Sequence, residues 1–86
     1  MLRPTAITVV PLKNYHLLIT FDNGEIRKLN VAPFIKGDWY GNLKDTKLFK
    51  TATTDGYTIV WDEGQDLCPD DVYYGSDPIG TIEDAL

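Results

Sequence analysis

One cysteine, one histidine and one serine are all that this 86-residue chain offers to several common chemistries. Cys68 has no second thiol to pair with, so an internal disulfide is excluded, as suits a reducing compartment. Structural zinc takes four ligands, mostly Cys or His, and Cys68 with His16 falls short of that set. Cys68 and Ser76 are the candidate nucleophiles, and neither has a base beside it in sequence. No apolar run exceeds three residues, as in Ile59-Val60-Trp61, whereas a membrane-spanning helix needs about 20. No phosphate-cradling glycine loop and no dinucleotide fingerprint is present. Met1-Leu2-Arg3-Pro4 opens no apolar signal core, so a cytoplasmic protein without a membrane role is expected.

Base is also missing from one part of the chain. Residues 1–61 hold all eight Lys and Arg against five acids, for +3, while residues 62–86 hold eight acids and no base, for −8. The overall charge of −5 argues against direct nucleic-acid binding, which needs a basic footprint on the phosphates. An acidic segment on a mildly basic body suits a basic partner protein, or simply keeps a small domain soluble.

What is abundant is apolar and aromatic material, 43% and 12% of the residues. That is enough for one core, although a chain this short buries only about 60–65% of its unfolded surface. A β-branched run predicts a first strand over Thr5–Val10, ended by Pro11. A second strand runs from about Tyr15 to Phe21, with Tyr15, Leu17, Ile19 and Phe21 on one face. Asn23-Gly24 then predicts a two-residue type I′ turn, which sets Phe21 opposite Ile26 and Leu18 opposite Leu29. Residues 31–40 read as a connection with a short helical turn around Phe34. A helix is expected over Thr46–Thr51, capped by Asp45, with Lys44, Lys47 and Lys50 outward. Asp55-Gly56 closes a second hairpin whose return strand is Tyr57–Trp61, and a short helix follows over Pro69–Tyr74 with Gly75 as a left-handed stop. The expected architecture is α+β: a mostly antiparallel sheet of about five strands in the order β-β-β-α-β-β-α, with one main helix and a short C-terminal helix. Residues 1–75 form the domain in this reading, and 76–86 an acidic, loose tail.

Three segments carry a resemblance. Phe21-Asp22-Asn23-Gly24-Glu25, then Leu43 to Phe49, then Trp61-Asp62-Glu63-Gly64-Gln65-Asp66-Leu67-Cys68-Pro69-Asp70-Asp71-Val72-Tyr73 are similar to a small bacterial family catalogued as domain of unknown function 2442. The match covers about residues 4–74. It implies an α+β domain with no established activity and no cofactor. Some relatives carry an added helix-turn-helix domain, and others neighbour a second small gene in an arrangement like toxin–antitoxin pairs. With the match spanning about residues 4–74 of the sequence, no added DNA-binding domain is expected here.

Candidate site residues follow from exposure and charge. Trp39 and Tyr40 lie in a Gly-flanked loop, and aromatics so placed are typical interface anchors. Asp62, Asp66, Asp70, Asp71 and Tyr73 join them as a recognition surface, although Trp61 to Tyr73 also reads as a structural clasp in which Asp66 caps the last helix. Five carboxylates fall within residues 62–71, but the spacing fails the calcium-loop pattern, because Gly64 stands at its third position and Tyr73 at its twelfth. No metal or cofactor is therefore assigned. The function expected is a non-enzymatic protein-interaction module, antitoxin-like or an accessory partner of a neighbouring small gene product, acting as monomer or homodimer. The alternatives are an acidic DNA-mimicking inhibitor and a small enzyme using Cys68, Asp66 and His16.

Overall fold

The first strand, β1 (Ala6–Leu12), turns back through a single helical turn at Lys13–Tyr15 into β2 (His16–Phe21). The computed structural model describes residues 4–81. Pro11 lies inside β1 opposite Leu17 rather than ending the strand. It is tolerated because β1 is an edge strand, where a missing amide leaves no ladder bond unmade.

β2 and β3 (Glu25–Asn30) form the central hairpin, with a register one residue from the expected one. Leu17 faces Leu29, Ile19 faces Arg27 and Leu18 faces Lys28. The cause is the turn. Gly24 N–H donates to Phe21 O at 3.0 Å, and Gly24 alone takes a left-handed φ, of 89°. Asp22-Asn23-Gly24 is thus a three-residue loop ending in a glycine bulge, not a two-residue type I′ turn. Because side chains alternate, a one-residue slip exchanges the faces of the whole strand. Leu29 comes to the core with Leu17, Ile19 and Phe21, and it brings Glu25 and Arg27 with it.

After β3 the chain winds through a short turn at Ala32–Phe34, helix α1 (Gly37–Tyr40), a second turn at Gly41–Lys44 and helix α2 (Thr46–Phe49). Asp45 caps α2 as expected, accepting from Lys47 N–H at 2.9 Å. β4 (Thr53–Thr54) and β5 (Ile59–Val60) pair with each other, and Val60 also bridges to Asp66, so the strands of the described residues divide into a four-stranded and a two-stranded antiparallel sheet. Helix α3 (Pro69–Tyr74) follows. Gly75 is in right-handed, not left-handed, backbone, and the position excludes a side chain by close approach: a Cβ there would lie 2.5 Å from Asp71 O. The expected loose tail is also corrected in part. Asp77–Thr81 is strand β6, paired with β3 at the far edge of the larger sheet. Its Pro and Gly hide it from a propensity reading, yet an edge strand accommodates both. Residues 82–86 of that tail lie outside the described residues.

The result is α+β. One face of the four-stranded sheet is covered by the winding 31–75 segment, and Leu17, Ile19, Phe21, Leu29, Leu43, Phe49, Ile59, Trp61, Leu67 and Val72 fill the space between. Each such side chain contributes about 1.5–3 kcal/mol on burial. Trp61 is fixed further by donating its indole N–H to Phe49 O at 3.0 Å. No helix of the described residues is long and apolar enough to cross a membrane.

Candidate interaction surface

Trp39 and Tyr40 are held by the loop that follows β5. Trp61 O accepts from Gly64 N–H, and Trp61 N–H donates to Gln65 O, each at 2.9 Å, which closes Trp61–Gln65 into a tight turn. That turn drives Gln65 inward until it is 0% exposed. Its Nε2 donates to Trp39 O and to Glu63 Oε1, both at 3.0 Å. Its Oε1 is buried with no hydrogen-bond partner among the described residues. Asn42 Nδ2 also donates to Glu63 Oε1, at 3.1 Å, and Tyr40 OH donates to Asp66 O at 2.8 Å. α1 and the acidic loop are therefore one fastened unit.

The fastening leaves the Trp39 ring outward, 49% exposed, with the Tyr40 ring 5.2 Å away. The indole passes over Gly64, where a Cβ would lie 3.9 Å from its Cζ2. Asp62, Glu63 and Asp66 flank that glycine in sequence and are exposed. An apolar ring on a rigid mount with carboxylates around it can insert into a pocket on a basic surface at little ordering cost.

Not every candidate residue belongs to this patch. Trp39, Tyr40 and Asp66 come together, Tyr40 through its hydroxyl on Asp66 O, whereas the Asp62 N–H donates to Thr51 Oγ1 at 3.1 Å. Asp66 does not cap α3, whose first residue is preceded by Cys68 without any side-chain cap; it acts through its backbone, bridging to Val60. Asp70 and Asp71 stand exposed in the first turn of α3. Tyr73 points back to the sheet. Its ring meets Phe21 edge-on at 5.2 Å, its hydroxyl donates to Glu25 Oε2 at 2.6 Å, and Arg27 lies over its face at 4.5 Å. Arg27 in turn donates to Ser76 Oγ and Ser76 O, at 2.8 and 2.6 Å, and pairs with Glu25 at 3.0 Å. These bonds lower the Glu25 carboxyl below its ordinary value, the Tyr73 hydroxyl contributing most and Asn23 next. The same contact with Glu25 raises the Tyr73 phenol.

The residues of the enzyme reading are not joined. His16 Nδ1 lies 3.0 Å from Asn14 O, Cys68 is exposed ahead of α3, and among the described residues no hydrogen bond links His16 with Cys68 or Asp66. No group of three His, Cys, Asp or Glu among the described residues is placed to hold a metal ion.

The pattern of the family described as Protein of unknown function (DUF2442) matches residues 6–78. The chain belongs to that family. No curated protein and no solved structure matches it. In this DUF2442 chain the first and last of the segments that carry the likeness touch: Phe21 and Glu25 of the hairpin meet Tyr73 of α3.

Arg27 was not singled out from sequence, Gln65 and Glu25 appeared only within the family-like segments, and Ser76 only as a candidate nucleophile. Gln65 sits in a run of exposed acids that gives no sign of burial. Arg27 emerges on the core face only once the hairpin register is known.

Proposed function

We propose that the chain is a non-enzymatic protein-interaction module that offers the Trp39 patch to a basic partner protein, as an antitoxin-like or accessory partner of a neighbouring small gene product. The observation that supports this best is the mount of Trp39. A half-exposed indole is carried on a backbone bonded to a wholly buried glutamine, which is costly to arrange unless the ring is used. The surrounding carboxylates favour a positively charged counterpart and would hasten encounter more than they deepen affinity.

The test is co-expression of the full chain with the neighbouring gene product, followed by affinity capture. The expected result is a specific complex that Trp39→Ala weakens on the order of tenfold or more and that added salt weakens further. Capture of no specific partner, or a complex indifferent to Trp39→Ala, overturns the proposal. Competition of the partner by duplex DNA would transfer support to the DNA-mimicking reading.

A further inference from the structure

An open groove of about 770 Å³ lies on another part of the molecule, between the β1–β2 turn and α2. Pro11, Leu12, Tyr15 and Phe49 make it apolar, and Lys13 and Lys50 stand at its sides. The two segments that build its walls are rich in lysine. Residues 5–21 and 39–54 together contain Lys13, Lys44, Lys47 and Lys50 and a single acid, Asp45. The Asp45 carboxylate is engaged by the Lys47 backbone amide. The four lysines are exposed, and among the described residues none is in an ion pair.

The groove wall is held in an uncommon backbone conformation. Asn14 and Tyr15 have φ of 60° and 61°, and two successive left-handed residues other than glycine are rare, more so for a bulky tyrosine. Three contacts keep Tyr15 there. Its hydroxyl donates to Lys44 O at 2.6 Å, its ring meets Phe49 edge-on at 5.3 Å, and its carbonyl accepts from Val31 N–H at 2.8 Å. Strain of this kind persists where the surroundings over-determine it, and it concentrates at binding sites. Here it sets Tyr15 against Phe49, the two aromatic residues of the groove.

We propose that this groove docks a short acidic peptide segment of a partner protein, with an apolar side chain laid on Tyr15 and Phe49 and flanking carboxylates paired with Lys13 and Lys50. Charge complementarity selects the occupant, and the apolar lining selects a peptide over a bare anion. A long nucleic acid is disfavoured because the rest of the chain is strongly acidic, −8 over residues 62–86. None of its lining residues belongs to the Trp39 patch, and its lysines are opposite in sign to the carboxylates of that patch, so each proposal has its own test.

The test is titration of the ¹⁵N-labelled full chain with a synthetic peptide of glutamates alternating with leucine and phenylalanine, at low salt. Amide shifts are expected to gather at residues 11–15 and 46–50. Lys13→Gln with Lys50→Gln should weaken binding on the order of tenfold. A peptide with glutamine in place of glutamate should bind more weakly by a similar factor, and Trp39→Ala should leave binding unchanged. Both lysines are exposed, and the spectrum of each variant reports its fold. Shifts centred elsewhere, equal binding of the glutamine peptide, or indifference to the double substitution overturn the proposal. So does tighter binding of a single-stranded oligonucleotide at these residues, or concentration-dependent association of the chain through them without peptide.

Discussion

The Tyr73 hydroxyl donates to Glu25 Oε2 at 2.6 Å across 48 residues of sequence. This bond joins the start of β3 to the last helix, beside the Phe21–Tyr73 ring contact and beneath Arg27. A carboxylate, a guanidinium, a phenol and a serine satisfy one another there. The C-terminal segment is thereby tied to the hairpin by polar bonds as well as by Val72. A small domain with a limited core gains from such a tie, because charged hydrogen bonds at a partly sheltered site exceed neutral ones in strength.

Tyr73→Phe removes the hydroxyl and keeps the ring on Phe21. Glu25 then retains Asn23 and Arg27. The melting temperature should fall modestly, and it should fall much further in Tyr73→Ala, which also loses the ring contacts. In thermal unfolding by circular dichroism, an unchanged Tyr73→Phe would show that the bond contributes nothing, and equal losses in both variants would show that the ring contacts contribute nothing.

The same group sets a pH dependence. Glu25 is lowered from 4.5, chiefly by the Tyr73 hydroxyl, and Asp55 is lowered from 3.8 by the Thr58 and Tyr57 amides. A depressed carboxyl contributes stability that is present above its unfolded value and is lost as pH falls through the folded one. Stability should therefore decline below about pH 4.5, and Glu25→Gln with Asp55→Asn should flatten that limb. Tyr73 is raised from 10.0 by Glu25, so its contribution is complete below pH 10 and is lost as pH rises through the higher folded value. Tyr73→Phe should flatten the alkaline limb and, by removing the chief cause of the Glu25 depression, part of the acid limb as well. Urea midpoints against pH read both limbs.

The hairpin shows how far the sequence could be read. Strands, a turn at Asn23-Gly24 and the apolar face of β2 were all legible from period and turn chemistry. The length of the loop was not, since Asp22 can end a strand or open a loop, and that one residue decided whether Arg27 faced water or core. β6 was illegible for the opposite reason: Asp77-Pro78-Ile79-Gly80-Thr81 has the composition of a turn, and only the open edge of β3 makes it a strand. In the surface patch, Trp39 was legible as an exposed aromatic between glycines, whereas its support by Gln65 was not, because a single polar residue among acids carries no burial signal.

The observed register has its own test. Gly24 has φ of 89°, and an alanine there must adopt left-handed backbone, at a cost of about 1 kcal/mol or more. Gly24→Ala should lower stability by that amount in urea unfolding. Cross-strand nuclear Overhauser contacts should join Leu17 with Leu29 and Ile19 with Arg27. Contacts of Leu18 with Leu29 would instead restore the two-residue turn.

The two tryptophans provide a last test, since they sit in opposite environments. Trp61 is 3% exposed and bonded to Phe49 O, while Trp39 is half exposed. Trp39→Phe should leave blue-shifted emission that acrylamide quenches poorly, and Trp61→Phe should leave red-shifted emission that it quenches readily. Gln65→Leu removes the amide that bonds Trp39 O and Glu63, and leaves the Trp39 carbonyl without that donor. The cost should be about 1–3 kcal/mol, the range for losing a buried hydrogen-bond partner. If the glutamine serves as the mount, Gln65→Leu in the Trp61→Phe background should also lower the fluorescence anisotropy of Trp39 while the fold persists. An unchanged anisotropy would mean that the indole is held by its contacts with Gly64 and the tilted Tyr40 ring alone.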